Sequence, residues 1–375
     1  MSEVLPAEMD PSVWLSLAHT ASESDVRRAL SNEAPTEADF AALVSPAAEV
    51  FLEDMAQRAK HLTESHFGRT ISLYVPLYLS DYCPGGCVYC GFAADRKQPR
   101  SRLEPDQMLR EFGALKTMGF EEVLLLTGER SPRADFDYLC DAVTEAAKHF
   151  SAVTVEAFPM TTDEYRGLAA AGCVGVTLYQ ETYEPIQYHA LHRWGPKRNY
   201  ANRLDAPSRV LEAGMRHVGL GALLGISDPM FDTLALYRHA HALRRKFWQS
   251  GVTISFPRVC PQEGGYQPPF SVDERFLARI IFAFRICMPD VPLNLSTREN
   301  ARFRDGIAGV GVSKMSIASR TTVGGYSEPT CSPDGQFEIN DDRDIETFFT
   351  ALRTKGLEPF FKNWDRVYSG VGISK

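Results

Sequence analysis

Several things are missing from this chain, and each absence removes a class of function. It has no apolar run near the ~20 residues that cross a bilayer, and its start, Met-Ser-Glu-Val-Leu-Pro-Ala-Glu, lacks the charged-then-apolar order of a secretory signal. It has no basic stripe. With 40 Lys and Arg against 48 Asp and Glu, a formal charge of −8, nothing concentrates cations for phosphate binding, which argues against nucleic acid as the main partner. Eight cysteines among 375 residues are too few for a disulfide scaffold and fit a reducing compartment. Neither an internal repeat nor a low-complexity stretch is visible. The expectation is a cytoplasmic protein with no membrane or nucleic-acid partner, whose hydrophobic content of 44% can fill a large core.

One further absence is local. Cys83, Cys87 and Cys90 lie in Tyr-Cys-Pro-Gly-Gly-Cys-Val-Tyr-Cys-Gly-Phe with no fourth cysteine at matching spacing. Three thiolates at CX3CX2C can surround one cuboidal iron–sulfur cluster; such a cluster normally takes four cysteines, so three leave one iron open to another ligand. A structural zinc site would be closed by four ligands, often in short cysteine pairs, and no second pair follows. A redox Cys87-X-X-Cys90 pair leaves Cys83 unexplained. Spacing favours the cluster, with zinc and plain buried thiols still open. Cys140, Cys173, Cys260, Cys287 and Cys331 read as small hydrophobes.

The rest of the chain reads as α/β, in three parts. Residues 1–67 carry helical spacing and capping residues, as in Ser22 to Leu30 and Pro46 to Leu62, and form an N-terminal helical extension. Between 68 and 317, strand-like runs at 70–80, 122–127, 152–158, 174–179, 217–224, 251–256, 291–296 and 310–316 alternate with helix-like runs such as 105–118, 135–148, 162–171 and 231–249. That alternation is the pattern of a complete (β/α)8 barrel of TIM type. Residues 318–375, rich in Gly, Pro, Asp and Ser, are expected to wrap the barrel mouth as a tail without a core of its own.

In such barrels the site lies at the C-terminal strand ends. The cysteines follow the first strand there. Glu156 ends the third, where a carboxylate can bind ribose hydroxyls or simply face solvent. The glycines of Gly219-Leu220-Gly221-Ala222-Leu223-Leu224-Gly225 allow either close ligand approach or tight packing. Arg298 ends the seventh strand, and its guanidinium fork matches a carboxylate.

The run Pro76 to Tyr82 before the cysteines, with Tyr89 between them and Gly91-Phe92 after, resembles the radical S-adenosylmethionine (SAM) superfamily. Leu178-Tyr179-Gln180-Glu181-Thr182-Tyr183, Gly195-Pro196-Lys197-Arg198, the glycine segment 219–225, Leu295-Ser296-Thr297-Arg298-Glu299 and the block 336–343 resemble, within it, the tyrosine lyases of thiamine biosynthesis, the 2-iminoacetate synthase family. The resemblance runs from about Gly68 to the C-terminus. One departure is Pro84-Gly85-Gly86, where an Asn-containing polar turn is expected.

The resemblance implies a radical SAM barrel, one [4Fe–4S] cluster on Cys83, Cys87 and Cys90, and SAM as cofactor. Thr127-Gly128-Glu129 would receive the methionyl amino group, Glu156 the ribose, Gly221 and Leu223 the adenine, with Tyr89 stacked nearby. The substrate would be L-tyrosine, cleaved at Cα–Cβ to 2-iminoacetate and p-cresol, with SAM consumed to 5′-deoxyadenosine and methionine. Arg298, Ser316 and Ser319 would hold its carboxylate; Gln180, Glu181 and Tyr183 would line the pocket, and His192 and Lys197 lie on a loop that can close over it. Partners implied are a low-potential donor of flavodoxin or ferredoxin type and a thiazole synthase. Rival readings are a tryptophan lyase, a hydrogenase maturase, whose second cysteine set has only Cys331 to match it beyond residue 300, and a non-enzymatic iron–sulfur or zinc module.

Overall fold

The structure, a computed structural model, describes residues 5–328 and 335–363; Cys331 lies outside them. Eight strands, β1 (Thr70–Ser80), β2 (Glu122–Thr127), β3 (Ala152–Glu156), β4 (Cys173–Thr177), β5 (His217–Gly221), β6 (Gly251–Ser255), β7 (Leu293–Leu295) and β8 (Lys314–Ser316), pair in parallel in chain order. β1 closes the ring by pairing with both β2 and β8, with Val75 opposite Val123 and Tyr74 opposite Ser316. The (β/α)8 barrel is therefore as the alternation implied.

Local chemistry sets the returning helices. Thr161 and Glu164 form a capping box at the start of Thr162–Ala170, and Asp135, Asn199, Asp273 and Asn300 each accept a hydrogen bond from the first turn of the helix they precede. The apolar faces of these helices close over strands whose outward positions, such as Val123, Leu125, Val153 and Val155, are fully buried.

The N-terminal helices, Ser12–Thr20, Glu23–Ser31, Glu37–Val44 and Leu52–Phe67, pack on the barrel's flank against Pro229–Lys246 and Glu274–Cys287. There Phe40 stacks on Tyr237 at 3.9 Å and meets Phe284 edge-on at 5.0 Å.

The C-terminal segment departs from expectation. Gln336 and Phe337 do line the mouth, but the chain then forms a helix, Ile345–Thr354, and a ninth strand, β9 (Glu358–Phe360). Asp344 caps the helix and Phe348 and Leu352, one turn apart, bury against the barrel. β9 pairs with the N-terminal end of β1, Thr70 opposite Glu358 and Ser72 opposite Phe360. Composition concealed this because two well-placed apolar residues and a cap suffice to dock a short helix on an existing core. Among the described residues no helix is long and apolar enough to cross a membrane.

Candidate active site at the barrel mouth

The cysteine loop leaves β1 at the C-terminal rim and packs against the end of β2. Gly128 permits that contact: a Cβ there would stand 2.7 Å from Cys83 Cβ and 2.8 Å from the Tyr82 carbonyl. A Cβ on Gly85 would lie 3.5 Å from Cys83 Sγ and 3.8 Å from Cys87 Sγ, so both sulfurs turn towards the same glycine. The Glu129 N–H points at Cys83 Sγ (3.4 Å) and Gln336 Nε2 at Cys90 Sγ (3.7 Å). Such donors stabilise sulfur that carries negative charge.

Burial pushes the Cys83 thiol up to about 11, with Cys90 and Glu129 adding to it, and raises Cys87 further. Deprotonation therefore needs a bound cation, as thiolate ligation supplies. Among the described residues no three His, Cys, Asp or Glu side chains converge on one point, as a mononuclear zinc centre requires. In a cuboidal cluster each thiolate binds a different iron, so that convergence is not needed.

Within the departure at Pro84-Gly85-Gly86, Gly86 has a steric reason. A strap from the helix Pro185–Leu191 and its following loop lies across the cysteine loop, with Gly86 N–H donating to the Trp194 carbonyl (3.0 Å), Val88 N–H to Leu191 (3.1 Å) and Arg193 Nε to the Gly86 carbonyl (3.0 Å). The Trp194 indole fills the space a Gly86 side chain would need, 2.4 Å from an ideal Cβ.

Beneath the strap is a buried chain of charges. Arg203 donates to Glu129 Oε1 (3.0 Å) and to the Tyr179 carbonyl (2.7 Å), Lys197 to Glu181 (2.5 Å), and Arg203 Nη2 stands 3.8 Å from Glu181. Glu181 takes a left-handed backbone, φ 71°, and its carbonyl accepts from Leu223 N–H at 2.7 Å. His192 Nδ1 bonds the Tyr188 carbonyl at 2.7 Å, so it carries the proton and Nε2 accepts from Tyr89 Oη at 2.6 Å. Burial, with Lys197 nearby, holds this histidine neutral well below its usual range. Two groups are left over: Glu129 Oε2 and both amide atoms of Gln180 are buried with no partner among the described residues.

Inside the mouth is a cavity lined by Tyr74, Tyr78, Glu156, Asn294, Arg298 and Ser319, with Ser316 beside them. Arg298 lays its guanidinium 3.3 Å over the Phe337 ring centroid and donates to the Arg258 carbonyl (3.3 Å), with no carboxylate in ion-pair range among the described residues. Ser319 Oγ lies 3.3 Å from Ser316 Oγ. Burial pushes Glu156 up to about 7, Glu181 adding to the effect while Arg298, Lys197 and Arg203 oppose it.

The structure thus gathers Cys83, Cys87, Cys90, Tyr89, Thr127, Gly128, Glu129, Gln180, Glu181 and Leu223 around the cysteine loop, and Glu156, Arg298, Ser316 and Ser319 around the cavity. Tyr183 goes elsewhere: fully buried in the outer layer, it bonds His239 Nδ1 at 2.9 Å and its N–H bonds Asp232. Gly221 serves packing, since a Cβ there would meet the Tyr179 ring at 2.6 Å. Sequence reasoning passed over Arg203, Gln336, Phe337 and Asn294. Arg203 had a signal, a cation on the same helical face as Tyr200, Leu204, Pro207 and Leu211, all of them buried.

An eight-stranded parallel barrel with three cysteines at its C-terminal mouth, beside a half-paired buried glutamate, defines a radical SAM scaffold. Residues 77–237 match the Radical SAM superfamily and residues 255–358 the Biotin and Thiamin Synthesis associated domain. The chain is 40% identical over 343 residues, 91% of each chain, to 2-iminoacetate synthase of Escherichia coli (strain K12), and 39% identical over the same span to that of Salmonella typhimurium. Among solved structures, HydG, a maturase of the [FeFe]-hydrogenase, superposes with a TM-score of 0.89 at 30% identity over 96% of this chain and 81% of that one. Methylornithine synthase shares the fold, with a TM-score of 0.71 at 21% identity, covering 90% of this chain and 97% of that one. The chain belongs to the radical SAM enzymes and, within them, to the 2-iminoacetate synthase family.

Proposed function

We propose that this protein cleaves the Cα–Cβ bond of L-tyrosine, giving 2-iminoacetate and p-cresol for thiazole formation in thiamine biosynthesis. Cys83, Cys87 and Cys90 would hold one [4Fe–4S] cluster, and SAM bound beside them would supply the radical chemistry, being consumed to 5′-deoxyadenosine and methionine. The reading rests on one juxtaposition: Glu129 touches Cys83 through its N–H while its buried Oε2 has no partner among the described residues. A carboxylate oxygen so placed accepts the ammonium of a ligand bound beside the cysteines. Arg203 fixes the other oxygen, leaving Glu129 a single direction in which to bond.

Across the mouth, Arg298 offers a guanidinium without a carboxylate, already oriented by Phe337 and the Arg258 carbonyl, with Ser316 and Ser319 below it. That set binds the carboxylate of an amino acid and leaves its side chain to enter the cavity. Gln180 and Glu181 border the cofactor side, and the strap carrying His192 and Lys197 shields that side from water. A low-potential flavodoxin- or ferredoxin-type donor supplies the electron, and a thiazole synthase takes up the 2-iminoacetate before water hydrolyses it.

The test is anaerobic turnover with SAM and reductant, offering tyrosine and tryptophan separately and identifying products by mass spectrometry. p-Cresol with glyoxylate and ammonia from tyrosine supports the reading. Substantial cyanide and carbon monoxide would place the protein with the maturases, and turnover of tryptophan alone with the tryptophan lyases.

A further inference from the structure

Among the polar groups on the cavity wall that the proposed reaction does not use is Asn294. Asn294 sits on β7 facing the barrel interior, 7% exposed, opposite Ser255 on β6 and Lys314 on β8. Its Nδ2 donates twice, to Tyr74 Oη at 2.9 Å and to Ser255 Oγ at 3.0 Å, and these two bonds use both amide protons and fix the plane of the side chain. Oδ1 is buried and has no partner among the described residues, although Asn294 lines the cavity. A buried acceptor without a donor is costly, and its position on the cavity wall marks it as a site for a ligand's donor.

We propose that Asn294 Oδ1 accepts the phenolic O–H of the substrate and thereby selects tyrosine over phenylalanine. The inference rests on the tyrosine-lyase reading and adds to it the group that reads the ring. Asn294 lies on β7 and Arg298 in the turn that follows it, where Glu299 N–H donates to the Ser296 carbonyl (3.4 Å), and both residues line the same cavity. With its carboxylate at Arg298, an amino acid directs its ring down the barrel axis, between Tyr78, Leu124 and Leu126, towards Asn294. Phenylalanine in the same pose leaves Oδ1 unpaired, and a site built around a hydrogen bond rejects the analogue that cannot form it.

The experiment measures binding, without reductant and hence without turnover. Cluster-loaded protein with SAM is titrated anaerobically with tyrosine and with phenylalanine by calorimetry. Wild-type protein is expected to prefer tyrosine by at least about tenfold, the effect of one buried hydrogen bond. Asn294→Leu, nearly the same size but without polar atoms, should weaken tyrosine by about that factor, leave phenylalanine unchanged and bring the preference near unity. Because Asn294→Leu also strips Tyr74 and Ser255 of a donor and can impair folding, Asn294→Ser is measured as well. It keeps a hydroxyl at that position but is too short to reach the cavity, and the same loss of preference is expected. A preference unchanged in a folded variant overturns the proposal, as does one retained in these variants but lost in Glu156→Gln, which would assign the phenol to Glu156. Wild-type protein that binds phenylalanine as well as tyrosine also overturns it. p-Cresol formation from tyrosine in the same preparation shows whether the assignment of Asn294 has failed alone or together with the tyrosine-lyase reading.

Discussion

Arg203 Nη1 and Glu129 Oε1 lie 3.0 Å apart, and the two side chains are 6% and 7% exposed. A pair so enclosed is intolerant of losing one member, because the survivor keeps its charge without a partner or water. Arg203→Met is expected to lower stability by about 3–5 kcal/mol and to weaken SAM binding, since Glu129 is then free to turn. Chemical denaturation and anaerobic SAM titration check the two effects separately.

Gly128→Ala places a methyl against Cys83 and the Tyr82 carbonyl, both backbone-anchored, so the cysteine loop must shift. Iron incorporated on anaerobic reconstitution should fall well below four per chain, the content of one cubane cluster. Gly113→Ala is the control: this glycine is exposed inside the helix Pro105–Thr117 and meets nothing within 4 Å, so the change should stabilise by about 0.5–1 kcal/mol and leave iron content alone.

Arg298→Ala removes a cation that faces the cavity from the turn after β7 while leaving the cysteines and Glu129 untouched. Tyrosine binding should weaken by about 1.5–3 kcal/mol, the worth of a hydrogen bond to a charged group. SAM binding should stay as it was. Normal tyrosine turnover in this variant would show that the substrate carboxylate lies elsewhere.

Glu156 gives a pH signature. Its carboxyl sits near 7 in the folded protein against about 4.5 ordinarily, chiefly through burial. The native state therefore holds a proton that the unfolded chain has released, and the associated stability is complete below about 4.5 and lost as pH rises through 7. Between pH 5 and 7.5 the wild-type protein should lose stability relative to Glu156→Gln. Denaturant midpoints at the two pH values give the comparison, and equal changes in both proteins would contradict the burial of this charge.

Much of this was legible before the structure. The eight strand runs were visible because a parallel barrel strand is buried on both faces and reads as an apolar run, as Val123 to Leu126 does. The cysteine spacing and the Gly128-Glu129 turn are contiguous motifs. What escaped notice depends on distant partners. Gly86 makes sense only once Trp194 lies across it, and Arg203 only once its helix brings it under Glu129. Tyr183, two residues after Glu181, points the other way because the chain turns at Glu181 through a positive φ. Asn294 carried a faint local sign, a polar residue between Leu293 and Leu295 in a buried strand. Its meaning needed the two partners that occupy its amide protons.

The central claim is that this site cuts tyrosine at Cα–Cβ, and product stoichiometry tests it most directly. Reconstituted protein given SAM, tyrosine and a low-potential reductant without oxygen is expected to release p-cresol and 5′-deoxyadenosine in equal amounts. 5′-Deoxyadenosine formed without p-cresol, at a rate indifferent to tyrosine, would contradict the account.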